Sequence, residues 1–179
     1  MGTQVALTIN DFMELPERED GAVYELDAGE LIVLAKPGAR HELVKVQMTE
    51  ILVPYLVSHE KPGRLFIEAG FTLNADTLRI PDLAIVLREN LSRISKEDMP
   101  IPIPPDVAIE VISPTDTIRY LERKIEQYLS AGVKEVWIAH PELNKIHVRK
   151  RGEVRELIGD DVLETPLLPG LRINVRELF

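Results

Sequence analysis

The tightest constraint on this chain lies between Asp106 and Trp137. Asp106 to Ile112 reads Asp-Val-Ala-Ile-Glu-Val-Ile, β-branched and apolar on both faces, and Ser113-Pro114 stops it. Such a run predicts a strand covered on both sides. A charged amphipathic helix follows, from about Asp116 to Ala131, with an apolar stripe of Leu121, Ile125 and Tyr128. The chain then returns to strand character at Val136-Trp137-Ile138.

That stretch also holds its own anomaly. Strand alternation puts Val107, Ile109 and Val111 on one face and Ala108, Glu110 and Ile112 on the other. Glu110 is thus a carboxylate among apolar neighbours, which is costly unless it is paired, protonated or bound to metal. Lys124 lies on the apolar side of the helix, so a strand carboxylate and a helix ammonium point into one site. Two readings stand side by side. One is a buried ion pair, since buried charges usually pair. The other is a chemical site.

The rest of the chain supplies the partners. Thr8 or Asn10 caps a short helix through Leu15, and Glu17 to Gly21 is a polar connector. Ala22–Leu26 and Glu30–Ala35 read as a hairpin turning at Asp27-Ala28-Gly29. A helix over Ala39 to Ser58 places Val44, Met48, Ile51, Leu52 and Tyr55 on one side, and His41 shares that inward side. His41 reads either as a hydrogen-bonded core histidine or as an additional site residue. Pro54 should loosen the last turn. Lys61-Pro62-Gly63 is a turn. Arg64 to Leu73 reads as one long strand, bulged at Gly70. Leu78 to Leu87 reads as another, carrying Ile80-Pro81-Asp82, with Asp82, Ala84 and Val86 on one face. Arg88 to Pro105, with four prolines, is expected to stay out of the sheet and to be mobile. A hairpin turns at Arg151-Gly152, and an apolar tail runs from Pro166 to Phe179. This order of elements predicts an α/β fold around a mixed sheet, with N-terminal and C-terminal hairpins attached. We expect one domain over residues 1–179, with its core at about 39–140.

Asp82 and Glu110 form the second constellation. If their strands pair, the two carboxylates come within ~5–8 Å. Mg²⁺ takes one or two carboxylates plus waters and phosphate oxygens. The Val111 carbonyl could add a ligand. Such an ion activates water and neutralises charge in phosphoryl transfer, and Lys124 could orient that water or stabilise the developing charge.

Charge limits the partners. The net charge of −9 argues against general coating of nucleic acid, which needs clustered Lys and Arg. One basic cluster exists, at Lys145, Arg149, Lys150, Arg151 and Arg155. It reads as a solvated hairpin edge or as a phosphate-contacting patch. The chain has no cysteine, so disulfides and thiolate metal sites are excluded. No apolar run approaches the ~20 residues of a membrane span, so a cytoplasmic protein without membrane contact is expected.

The ordered set of motifs resembles the Uma-two family of restriction-endonuclease-like proteins, within the PD-(D/E)XK nuclease superfamily. Tyr24-Glu25-Leu26 with Gly29-Glu30-Leu31 resembles its opening hairpin, and His41 the histidine that opens its first core helix. Ile80-Pro81-Asp82-Leu83-Ala84 is similar to its Pro-Asp strand, and Ile109-Glu110-Val111-Ile112-Ser113-Pro114 to its Glu-Val-x-Ser-Pro signature. Lys124, Tyr128, Ala131-Gly132-Val133 and Glu135-Val136-Trp137-Ile138 match the helix and strand that follow. Leu167-Leu168-Pro169-Gly170-Leu171 is similar to the closing segment.

The resemblance implies a restriction-endonuclease-like core with Asp82 and Glu110 as metal ligands and Mg²⁺, or Mn²⁺, as cofactor. It implies DNA as substrate, cut by an endonuclease, and a homodimer of the kind with which the superfamily cuts duplexes. The superfamily motif puts Lys two residues after the Glu, where this chain has Ile112. Lys124 is the match for that lysine, moved onto the helix. His140-Pro141 replaces the Asp-Pro of many relatives. A module that keeps the fold but binds or regulates without cutting is the alternative expectation.

Overall fold

The computed structural model describes residues 6–16, 22–58, 62–114 and 116–179. The expected connector Glu17 to Gly21 and residue Lys61 of the following turn lie outside the described residues.

A short helix, α1 (Ile9–Met13), is closed by a reciprocal cap between Thr8 and Asp11. Strands β1 (Tyr24–Asp27) and β2 (Glu30–Val33) form the expected hairpin. Its two turn residues, Ala28 and Gly29, both have positive φ, at 50° and 82°, as a two-residue turn matched to strand twist requires. Helix α2 runs over Ala39–Ser58, with the bounds read from its periodicity. Pro54 sits on its exposed side, and the helix continues for another turn.

Two expected long strands are each broken into two, and the broken halves belong to different sheets. Arg64 to Leu73 divides into β3 (Gly63–Ile67) and β4 (Phe71–Asn74), because Glu68 adopts positive φ, 49°, between them. Leu78 to Leu87 divides into β5 (Thr77–Arg79) and β6 (Leu83–Leu87). Pro81 has no N–H for a ladder and restricts the residue before it, so pairing cannot pass through Ile80-Pro81. Asp82 therefore stands outside the strand, in the crossing between sheets.

The remaining elements are β7 (Val107–Val111), α3 (Ile118–Ala131), β8 (Glu135–His140), β9 (Lys145–Lys150), β10 (Glu153–Ile158), β11 (Val162–Leu163) and β12 (Ile173–Asn174). The main sheet has the order β10-β9-β8-β7-β6-β3, and a smaller one the order β2-β1-β5-β4. Only β7 and β8 run parallel in the main sheet, as the crossover through α3 demands. The α/β expectation of a mixed central sheet with flanking helices and added hairpins therefore holds.

The alternation read for β7 is the one observed. Val107, Ile109 and Val111 pack with α2 residues Val44, Met48 and Leu52, and with the C-terminal Leu168, Ile173 and Val175. Ala108 instead packs with Ile125 and Tyr128 of α3. The segment 88–105 departs from expectation. It opens with a 3-10 turn at Arg88–Arg93, and Ile101 then pairs with Phe71. Ile101 and Ile103 are buried against Phe71, Ala84 and Val86. The prolines alternate with residues that keep their N–H groups and apolar side chains, so this half of the loop is anchored.

Gly63 on the edge strand β3 is a place to test this packing. A Cβ there would stand 2.6 Å from the backbone oxygen of Val86, and the backbone must shift to admit it. Gly63→Ala should lower stability by ~1–3 kcal/mol, the usual cost of overpacking, read as an earlier urea midpoint.

Candidate active site

The end of the main sheet where β7 finishes and β6 begins gathers the ionisable residues. Glu110 shares the α3 face of β7 with Ala108, and α3 brings two side chains to it. Lys124 Nζ donates to Glu110 at 2.9 Å, and Tyr128 Oη donates to Glu110 Oε1 at 2.7 Å. Helix α3 is held in register by Thr117, whose hydroxyl accepts from the Tyr120 amide, and by Gly132 at φ 100°. Positive φ at that end suits glycine.

Lys124 is shared. Its Nζ also lies 3.1 Å from Glu25 Oε1, on β1 of the smaller sheet. Glu25 is fully buried and accepts from Arg79 Nη1, Tyr120 Oη and the Ile80 amide, each at 2.7 Å. Arg79, also fully buried, reaches Asp27 at 3.1 Å and Gln127 as well. Sequence reasoning missed this network. Its signal was present on the helix, where Tyr120, Lys124, Gln127 and Tyr128 recur at helical spacing as a polar stripe on the inward side.

Asp82 joins the same site from the crossing between sheets. Its Oδ2 accepts from the Val111 amide at 2.7 Å, and its Oδ1 lies 3.1 Å from His41 Nε2 on α2. Strands β6 and β7 do pair, with Leu83 opposite Ile109. His41 is buried, and its Nδ1 has no hydrogen bond among the described residues, although Glu42 Oε1 lies 3.4 Å away. Asp82, Glu110, Val111, Lys124 and His41 all line one cavity of about 370 Å³. Ile112, where the superfamily motif puts lysine, lines it too.

The electrostatics follow from counting charges. Glu25, Asp27, Asp82 and Glu110 face Arg79, Lys124 and Arg123, the last 3.0 Å from Asp27. One negative charge is left over when His41 is neutral. Burial pushes the Glu110 carboxyl up to about 7, and Asp82 and Glu25 add to the rise against the pull of Lys124. Burial also opposes the charge on Lys124, yet Glu110 and Glu25 hold the ammonium above the usual lysine range. Burial opposes the charge on Glu25, but Lys124 and Arg79 outweigh it and keep that carboxyl low. For His41, burial lowers the pKa and the Asp82 carboxylate more than restores it, so the imidazole is raised.

The donor set suits a hard divalent cation. Two carboxylates stand on one cavity wall, with one negative charge left over while His41 is neutral, and each carboxylate oxygen has lone pairs beyond its present bond. Among the described residues no group of three His, Asp or Glu side chains gathers for a metal. Mg²⁺ needs no more than one or two carboxylates, with waters completing the shell.

The basic cluster on the C-terminal hairpin is engaged elsewhere. Arg149 makes two hydrogen bonds to Glu122, Lys150 pairs with Glu135, and Lys145 pairs with Glu156. Arg151 and Arg155 donate to the Leu129 and Glu164 carbonyls. This fits the hairpin-edge reading: Lys145, Arg149 and Lys150 are paired with carboxylates of their own chain, and Arg151 and Arg155 are held by carbonyls. No helix among the described residues is long and apolar enough to cross a membrane.

Comparison with known proteins agrees with the architecture. The family model Uma2, described as "Putative restriction endonuclease", matches residues 9–176. A solved structure described as "a putative nuclease belonging to DUF820" from Anabaena variabilis superposes with a TM-score of 0.83. It is 21% identical and covers 97% of each chain. No curated protein matches.

The raised Glu110 carboxyl sets a pH dependence for the metal-free protein. Between the ordinary 4.5 and about 7 the native state holds a proton that the unfolded chain has released. The stability from that proton is full below the lower value and is lost as pH rises through the upper one. In EDTA, Glu110→Gln should therefore lose less stability than the unsubstituted protein between about pH 5 and about pH 7, by on the order of 2–3 kcal/mol. Urea titrations at the two pH values measure the difference.

Proposed function

Because the chain belongs to the Uma2 family, we propose that it is a divalent-cation-dependent endonuclease hydrolysing phosphodiester bonds in DNA, with Asp82, Glu110 and Lys124 as its catalytic residues. The observation that carries this reading is the convergence in one cavity. Two carboxylates from different segments meet there, and Lys124 Nζ stands 2.9 Å from one of them.

Asp82 and Glu110 would hold Mg²⁺ or Mn²⁺, with the Val111 carbonyl as a further donor. A bound ion of this kind supplies an acidified water and neutralises charge on the phosphoryl oxygens. His41 holds one oxygen of Asp82 and the Val111 amide holds the other, so the carboxylate is aimed before any ligand arrives. Lys124 stands beside Glu110 with its ammonium kept charged, in position to donate to the attacking water or to a phosphoryl oxygen as charge develops. Tyr128 fixes the other side of Glu110. Preorganised donors of this sort need no rearrangement during the reaction, which is where their advantage over water lies.

A second reading is a nuclease-fold module that binds nucleic acid or regulates without cutting. The net charge of −9 favours the regulating form of that reading, since nucleic-acid binding draws on free Lys and Arg.

Nicking of supercoiled plasmid in Mg²⁺ or Mn²⁺, run beside thermal melts, decides between them. Mg²⁺ should raise the melting temperature, since a ligand at 100 times its Kd adds ~2.7 kcal/mol to the native state. Asp82→Asn should lose both that shift and the nicking. A protein that shows the shift and cuts no nucleic acid belongs to the second reading.

Lys124→Met separates chemistry from structure. Without metal it strands the Glu25 and Glu110 carboxylates, and the melting temperature should fall, breaking a buried pair costing ~3–5 kcal/mol. With Mg²⁺ much of that loss should return, while nicking stays ~10²–10³-fold slower, the scale for losing one transition-state donor. A folded variant that cuts at the unsubstituted rate would remove Lys124 from the mechanism.

A further inference from the structure

We propose that the cavity over Asp82 and Glu110 receives an unpaired nucleotide, so that the substrate is single-stranded or locally unwound DNA and not an intact duplex. This rests on the nuclease reading and adds the substrate class to it.

Part of the cavity wall has no use in phosphodiester chemistry. Val23 precedes the N-terminal hairpin, and Leu34 and Pro37 leave it. Ile80 comes from the crossing between sheets, Ile112 from the end of β7 and Leu121 from α3. All six line the same cavity as the carboxylates. Tyr120 lines it as well and adds an aromatic ring. A sugar–phosphate backbone is charged and hydrated, and it gains nothing from such a surface. A nucleobase does gain, because its faces are apolar and stack on aromatic and aliphatic side chains whatever its sequence. The volume, about 370 Å³, lies near the lower end of small-ligand pockets, which span ~300–1,000 Å³. That is room for one nucleotide.

Charge points the same way. Among the described residues the basic side chains on the cavity wall are His41 and Lys124, and both are already engaged with carboxylates. Glu68 and Asp116 add further acid to the wall. The basic hairpin β9–β10 is bound to acidic and carbonyl partners within the chain. A duplex is held chiefly by neutralising many phosphates with free Lys and Arg. One nucleotide presents only one or two phosphates, which a bound divalent cation can meet. Extracting a base from an intact duplex costs its stacking and pairing, and the cost is least where the base is already unpaired.

The test uses one short fluorescein-labelled DNA sequence in three forms: single strand, perfect duplex, and duplex with a central unpaired loop. Anisotropy in Ca²⁺ measures binding, and gel mapping in Mn²⁺ measures cleavage. The single strand and the looped duplex should bind on the order of 10-fold more tightly than the perfect duplex, the scale of one stacked base. Cuts should map to the unpaired segment. Val23→Gln and Leu34→Gln make the apolar wall polar without touching the carboxylates. Each should weaken single-strand binding by about 10-fold, with the Mg²⁺-induced rise in melting temperature kept. A perfect duplex bound and cut as well as the single strand overturns the proposal and leaves the nuclease reading standing. Tighter single-strand binding that neither variant changes overturns the cavity as its seat. Failure to bind or cut any of the three forms overturns both.

Discussion

The site depends on one ammonium group serving two carboxylates. Lys124 reaches Glu110 on the main sheet and Glu25 on the smaller one, so a single helix side chain ties the two sheets together. Either carboxylate alone in that interior would be driven to take up a proton or drawn to water. Glu25 escapes because Arg79 shares it. Among the described residues Glu110 has only Lys124 as a cationic partner, with Asp82 close enough to raise it. The charge imbalance is therefore concentrated on the residue that faces the cavity. The same imbalance makes the cavity a place where a divalent cation would be stabilising.

The geometry of the site comes from interruptions in the sheet. Asp82 reaches both His41 and the Val111 amide because the chain leaves the small sheet at Arg79 and enters the main one at Leu83. In an unbroken strand its side chain would be confined to one face. Glu68 makes the matching crossing in the opposite direction, between β3 and β4, and its amide donates to the Asp82 carbonyl. The two crossings lie side by side, and the acidic end of the cavity is built on them. The N-terminal hairpin contributes Glu25 to the buried charges and leads into the apolar part of the cavity wall, so it belongs to the site as much as the core strands do.

The residues β7 and α3 contribute to the site were legible in the chain. A carboxylate on one face of an apolar strand is visible from alternation alone, and Lys124 is visible from helical spacing. Both arguments are local, because strand and helix periods fix the direction of a side chain relative to its immediate neighbours. The bounds of α2 and the turn at Ala28-Gly29 were readable for the same reason. Glu25 and Arg79 were not. Each sits on a short strand where nothing nearby in the chain says which face is covered, and their partners lie 54 residues apart. The two broken strands were missed because alternation continues through Glu68 and Ile80-Pro81 even where the ladder does not. The anchoring of Ile101 was missed because four prolines outweighed two isoleucines in a local reading.

The sequence by itself determined the α/β class, the family, and the pairing of a buried Glu110 with an inward-facing Lys124, since each follows from local periodicity or from the order of motifs. Only the tertiary structure decided that Lys124 is shared with Glu25, that Asp82 stands in a crossing between two sheets with His41 behind it, and that an apolar wall completes the cavity. Those are relations between segments far apart in the chain. Their geometry is set by which sheet each strand joins, and hydrogen-bond pairing across the fold settles that where side-chain alternation cannot.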